Sequence, residues 1–353
     1  MRRESRRGWS TVGVTGIVIT ATILGPAARR AEAYCRTTTS KVPPDYDPAE
    51  CGCWTYGLPL YWSNACVSYD IQQDASSEVP YAAAASAIAT AFSKWTSTTC
   101  SADAGTGRVS IDVRDFGPVA CGKVEYDQYG PNQHVILFDK NLSDFTDSSN
   151  ALALTTVTYN IDTGEIFDAD MQINATVPLS TSATPPTGSS SVYDFASIVT
   201  HETGHFLGMA HAVDARATMY AFIDPGEDSE RLLTLDDRNG ICTIYPPDGT
   251  RTVAAVDGGP EDAGAPTASC SQSAAPPPVP TRSIPAVLCD PTPRHGFTTQ
   301  CDGADGGATG GGCSIASAND HPATGRFVLA LTGLLTLVGV IARAHRRRAG
   351  YAR

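Results

Sequence analysis

His201-Glu202-Thr203-Gly204-His205-Phe206-Leu207-Gly208-Met209-Ala210-His211 is the stretch on which the reading of this chain turns. His201 and His205 are four residues apart, so on a helix they stack one turn above each other and aim ring nitrogens at one point. Glu202 follows the first histidine, a position that sets a carboxylate beside a bound ion without making it a ligand, where it can take a proton from an activated water. Gly208 lets the chain leave the helix through a left-handed conformation, and the turn returns His211 as a third nitrogen. Three neutral imidazoles leave a fourth coordination position open, the arrangement in which catalytic Zn2+ is held.

The stretch resembles the metzincin signature H-E-x-x-H-x-x-G-x-x-H at all five specified positions. Metzincins also carry a methionine turn beneath the zinc, and Ala217-Thr218-Met219-Tyr220 lies where that turn is expected. The resemblance implies a zinc-dependent endopeptidase acting on protein or peptide substrates, with His201, His205 and His211 as metal ligands, Glu202 as the catalytic base, and Met219 and Gly208 as structural support. It further implies an α+β catalytic domain of the matrixin-like branch: a twisted, mostly parallel sheet with an antiparallel edge strand, two long helices and a C-terminal helix. The rival reading is a surface binding or adhesion module with a non-catalytic zinc. In that case a fourth protein ligand, often Cys, would close the site.

Outward from the signature, Asp194 is the expected N-cap of the zinc helix, with Phe195, Ile198, Val199 and Phe206 facing a sheet. Residues 221–230 would line the far wall of the cleft. In matrixins an adjacent Asp pair in the closing helix braces the methionine turn and the mature N-terminus, and Asp236 and Asp237 stand in the similar place here. Upstream, Leu152 to Tyr159 and Glu165 to Ile173 read as strands joined by Asn160-Ile161-Asp162-Thr163-Gly164, which has hairpin-turn chemistry. The resemblance makes the first of these the upper rim of the cleft, with an extended substrate adding to its free edge. Asp168 and Asp170 sit where matrixins hold calcium, so Ca2+ is a second candidate cofactor, although Met171 replaces one acidic residue. Further departures are Ala212 where a serine is usual and the lack of a proline after Met219-Tyr220. With only His134 left in the domain, a second zinc held by histidines cannot be rebuilt. Earlier still, Cys66 to Ile71, Val109 to Val113 and His134 to Phe138 read as strands, and residues 80–98 as an alanine-rich helix carrying Ile88, Ala91, Phe92 and Trp95 at helical spacing.

Charge divides the chain. Residues 1–33 hold 6 Arg against 2 acids, 34–248 hold 10 Lys+Arg against 28 Asp+Glu, and 249–353 hold 9 Arg against 7 acids, within an overall charge of −12. So acidic a central domain argues against nucleic acid as a partner. The arginine-rich start, the apolar run Val12 to Leu24 and Ala31-Glu32-Ala33 read as a signal peptide removed after Ala33, hence an exported protein, extracellular or at the cell surface. Residues 34–248 form the expected peptidase domain. A Pro/Gly/Ala/Ser-rich stretch over 249–326 cannot bury a core and reads as a disordered, extended stalk. Phe327 to Ile341, followed by Arg343, Arg346, Arg347 and Arg348, reads as a short apolar helix in 327–353 that would anchor the chain to a membrane. With Gly311-Gly312-Cys313, this end resembles the C-terminal sorting signals of myxobacterial surface proteins.

Eleven cysteines in an exported chain imply disulfides. Seven (Cys35, Cys51, Cys53, Cys66, Cys100, Cys121 and Cys242) fall in the acidic domain, so at least one is unpaired or pairs outside it. Cys100 with Cys121 is the expected pair. Cys51-Gly52-Cys53 has two readings, structural disulfides or a thiolate capping the zinc in a latent form.

Overall fold

The computed structural model describes residues 34–43, 46–101, 105–141, 151–184, 191–255 and 280–301, and the backbone of 334–338 and 341–342. The expected signal peptide at 1–33 and Gly311-Gly312-Cys313 lie outside the described residues. The core is one six-stranded sheet. Its strands are β1 (Cys66–Gln72), β2 (Asp112–Val119), β3 (Val135–Asp139), β4 (Ala153–Tyr159) and β5 (Ile166–Asn174), joined by a late strand, Leu334–Val338. Spatial order runs from that late strand through β4, β5, β3 and β1 to β2. β1 pairs in parallel with both β2 and β3, β3 pairs in parallel with β5, and β4 is antiparallel to β5. The expected mostly parallel sheet with an antiparallel strand toward one side is thus present. β2 begins three residues later than its alternation suggests, and Pro118 is accommodated because β2 is an edge.

Two helices position the chemistry. α1 (Tyr81–Thr96) buries Ala84, Ile88, Ala91, Phe92 and Trp95, a stripe at three- and four-residue spacing. Each large side chain in that stripe contributes about 1.5–3 kcal/mol by leaving water. α2 (Phe195–Phe206) packs beside it, and the Trp95 indole donates to the Thr200 carbonyl at 2.9 Å. Every residue of α2 except Ala196 is buried, so its polar residues need internal partners. At the N-terminus Asp194 accepts from the Ser197 amide at 2.9 Å, and Arg231 clamps the same carboxylate. At the other end the Trp62 indole and the Tyr245 hydroxyl donate to the carbonyls of Phe206 and Leu207, which have no intrahelical partner. α3 (Leu235–Ile244) closes the domain, its start fixed by a capping box between Thr234 and Asp237.

The disulfides correct the expected pairing. Cys100 bonds Cys242, not Cys121, which bonds Cys301; the others described are Cys35 with Cys53 and Cys66 with Cys289. Among the described disulfides, two join a domain cysteine to one beyond residue 248. Those bonds draw in part of the expected stalk. Thr250–Ala254 and Thr281–Pro285 form an antiparallel pair, and Arg251 is fully buried, donating to the carbonyls of Trp62, Asn64 and Ser110. Composition alone does not register such tethering, because covalent links, one buried guanidinium and the packing of Val253 and Ile284 on the domain core hold the segment in place of a core of its own.

The C-terminal apolar helix is also corrected where residues are described. Leu334–Val338 and Ile341–Ala342 are strands, and no helix among the described residues is long and apolar enough to cross a membrane. A short run of leucine, valine and isoleucine suits either element, and here a sheet edge supplies its backbone partners.

Candidate metal centre

The helical spacing brings His201 and His205 together, and the left-handed backbone of Gly208 (φ 93°) turns the chain to bring His211 to them. One ligand atom from each of the three lies within 4.8 Å of the others. His201 and His205 are fully buried and His211 partly so. Their tautomers follow from their partners. His201 Nδ1 lies 2.7 Å from the Thr218 carbonyl and His205 Nδ1 2.9 Å from the Met209 carbonyl. A carbonyl can only accept, so both Nδ1 atoms carry the hydrogen and both Nε2 atoms present lone pairs. Those two Nε2 atoms stand 3.0 Å apart, and the buried His211 Nε2 has no hydrogen-bond partner. Lone pairs aimed at one another in a buried site repel unless a cation lies between them, so the donor set fits a divalent ion of the zinc type.

Electrostatics agree with this. Burial first, and the neighbouring rings second, hold His201 far below the usual imidazole range. Burial likewise lowers His211, and takes His205 down to about 4. All three rings are therefore neutral at physiological pH, the form that ligates. Among the described residues no Cys or carboxylate belongs to the group. Cys53 is tied to Cys35 and Cys51 is also disulfide-bonded, which removes the capping-thiolate reading of Cys51-Gly52-Cys53.

Glu202 lies between the first two histidines on α2, and its Oε2 accepts from the Thr155 hydroxyl of β4 at 2.6 Å. Met219 is fully buried. Its sulfur packs so closely on Gly204 that a Cβ there would come within 2.3 Å of it. The turn carrying Met219 is fastened by Asp237, whose two oxygens accept from the amides of Thr218 and Met219 at 2.9 and 3.1 Å. Asp236 accepts from the Tyr34 backbone, at the first residue after the expected cleavage point; burial is the main reason its carboxyl rises to about 6.

Three participants carry no sequence signal of their own. Thr155 is one of several threonines in a strand. Gly204 occupies an unspecified position of the signature. Glu230 is buried, with a carboxylate oxygen 3.9 Å from His201 Nδ1, and is held well above the usual carboxylate range by burial and by Glu202. Only the last had a hint, since residues 221–230 were expected to face the cleft.

The second candidate site fits its ion less well. Asp170 spends its oxygens on the amides of Val135 and Glu125. Asp168 keeps one buried oxygen without a hydrogen-bond partner, 3.8 Å from His134 Nε2. Calcium requires six to eight oxygens, so this pair alone does not complete such a site.

A matrixin family model matches residues 61–246, more than half of the chain and the whole span from Tyr61 to the end of α3. Over 55 residues the chain is 42% identical to metalloendoproteinase 1 of Glycine max, covering 16% of this chain and 18% of that protein. Over 58 residues it is 41% identical to human matrilysin, covering 16% of this chain and 22% of that protein. The chain thus spans about a fifth of the length of the curated relatives it matches.

Proposed function

The chain belongs to the matrixin family, and from that premise we propose that it is an exported zinc-dependent endopeptidase with Glu202 as its general base. The observation that carries this reading is the pair of histidines locked as Nδ1–H tautomers with Nε2 lone pairs 3.0 Å apart. His201, His205 and His211 would hold the ion. A bound zinc supplies a Lewis acid and lowers the pKa of water at the open position towards roughly 7.

The chain's own groups do the rest. Glu202 accepts the proton of the attacking water and delivers it to the leaving amine, so one carboxylate serves both halves of the hydrolysis. Thr155 holds that carboxylate toward the rim strand. The backbones of Thr218 and Met209 fix the two ring planes, and Asp237 fixes the turn that carries Thr218. A structural zinc in an adhesion module would be closed by a fourth protein ligand, and among the described residues only the three histidines gather at this point, which supports the peptidase reading.

The four described disulfides support export, since such bonds persist in oxidising compartments. Signal-peptide removal after Ala33 is part of the same proposal, and N-terminal sequencing of the secreted protein checks it. The central test is incubation of the zinc-loaded chain with a proteome-derived peptide library, with and without a chelator. Chelator-sensitive cleavage is expected. Glu202→Gln should retain zinc and lose turnover by about 10²–10⁴-fold, the usual worth of a general base. Near-normal cleavage by that variant would overturn the assignment of Glu202.

A further inference from the structure

Glu230 stands outside the metzincin signature and takes no part in the hydrolysis described above. It belongs to a one-turn 3₁₀ helix, Ser229–Arg231, which packs against α2. The two residues that follow Glu230 are tied down. Arg231 clamps Asp194 at the start of α2, and the Leu232 carbonyl accepts from the Thr218 hydroxyl of the methionine turn at 2.9 Å. With the turn fixed at those two points, the Glu230 side chain is held inside and buried. Its Oε2 has no hydrogen-bond partner among the described residues and lies 3.9 Å from His201 Nδ1. That nitrogen already donates its hydrogen to the Thr218 carbonyl. Glu230 therefore meets the N–H edge of the ring at Coulombic rather than hydrogen-bonding range.

Burying a carboxylate is unfavourable unless a positive charge or hydrogen bonds compensate it. The charged groups that act most on Glu230 are themselves acids, Glu202 first and then Asp237 and Glu227. Arg231, next in sequence, gives its guanidinium to Asp194. Asp237 is satisfied by the amides of Thr218, Met219 and Thr234. On the other side of the balance, three neutral imidazoles bring no charge to offset a dication, and Glu202 brings only one.

We propose that Glu230 is an outer carboxylate of the metal centre, a positioning residue whose negative charge beside the N–H edge of His201 strengthens the hold of that ring on the ion. The proposal rests on the zinc reading given above. The two nitrogens share one conjugated ring, so positive charge drawn to Nε2 is felt at Nδ1–H, where Glu230 answers it. The Thr218 bond is left intact, so ring orientation comes from a backbone carbonyl and charge compensation from Glu230. The two roles have different signatures. An uncompensated carboxylate opposes folding of the metal-free chain, whereas the same carboxylate favours the metal-loaded one, so its removal should act with opposite sign on the two states.

The test measures the zinc affinity of the full chain by competition with a chromophoric chelator, together with thermal unfolding of the metal-free protein. Glu230→Gln keeps the shape and removes the charge. Its dissociation constant for zinc should rise about 10- to 100-fold, the typical loss when an outer partner of a ligating histidine is removed. Glu230→Asp keeps the charge one methylene further back and should bind zinc more tightly than Glu230→Gln. Without metal, Glu230→Gln should melt no lower than the parent, because the carboxylate has no compensating charge there. Zinc binding by Glu230→Gln as tight as the parent's overturns this proposal and leaves the peptidase reading standing. So does a loss of affinity shared equally by Glu230→Asp, or one matched by a lower metal-free melting temperature, since either marks Glu230 as a packing residue. A parent chain that binds no zinc brings down the metal reading, and this proposal with it.

Discussion

The Thr155 hydroxyl donates to Oε2 of Glu202 at 2.6 Å, which ties the rim strand of the sheet directly to the carboxylate on the metal-binding helix. A hydrogen bond to a charged acceptor contributes about 1.5–3 kcal/mol, and it favours the ionised form over the protonated one. Thr155→Val keeps the shape and removes the donor. Its kcat/KM on a peptide substrate should fall about 10- to 100-fold by that magnitude. Zinc content should not change. The acid limb of the pH–rate profile should move upward, because the carboxylate loses a partner that held its proton off, and Thr155→Ser should restore both. An unshifted acid limb would show that the hydroxyl braces the strand without acting on Glu202.

Gly204 is the second point of close fit. A Cβ there would lie 2.3 Å from the Met219 sulfur and 2.8 Å from Trp95 Cζ2, and both side chains are fully buried. Overpacking of this kind costs about 1–3 kcal/mol. Gly204→Ala should lower the midpoint of thermal unfolding although alanine is the better helix former. Met219 is the softer neighbour, so Gly204→Ala combined with Met219→Ala should be less destabilised than the sum of the two single variants. Additive effects would place the clash elsewhere.

These two residues show where sequence reading stops. The ligand set, the general base and the glycine at the turn were legible because metal coordination fixes residue type and spacing together. The alternation of β5 and the stripe of α1 were legible because burial imposes a period of two or of 3.6. Thr155 was not legible, because its role depends on which strand crosses above α2, and strand order is set by contacts remote in sequence. Disulfide partners were hidden for the same reason: Cys100 and Cys242 are 142 residues apart. The run Phe327 to Ile341 failed differently where it is described, since a short apolar stretch satisfies a helix or a strand until a neighbouring edge decides.

The Cys100–Cys242 bond ties the residue four past the end of α1 to α3, the helix whose Asp237 braces the methionine turn. Closing a loop of that length removes unfolded-state entropy worth about 2–5 kcal/mol. Peptide mapping without reductant should recover a cross-linked fragment holding both cysteines and none joining Cys100 to Cys121. Cys100→Ser with Cys242→Ser should lower the denaturant midpoint with little change in zinc stoichiometry. Loss of zinc in parallel with the midpoint would mean that α3 cannot hold its place without the bond.

Asp70 gives the stability a pH dependence of definite sign. It is fully buried in β1, one oxygen accepting from the His134 amide and the other without a hydrogen-bond partner. Burial, then the charge of Asp115, raises its carboxyl from 3.8 to about 7, against the opposing effect of the His134 bond. Because the folded value lies above the unfolded one, the folded state binds the proton more tightly. The resulting stability is fully present below pH 3.8 and is lost as pH rises through about 7. At pH 8 the folded chain therefore carries a buried charge that costs on the order of 2–4 kcal/mol. Asp70→Asn keeps an acceptor for the His134 amide and cannot ionise. Its melting temperature should exceed that of the parent at pH 8, by about 2–4 °C for each kcal/mol recovered in a domain of this size. The advantage should shrink steadily toward pH 5, where the parent carboxyl is already protonated. Thermal unfolding of both proteins across that range decides the matter. A constant difference, or one that grows as the pH falls, would mean that Asp70 is ionised in the folded chain throughout and that its unpartnered oxygen is stabilised by a cation.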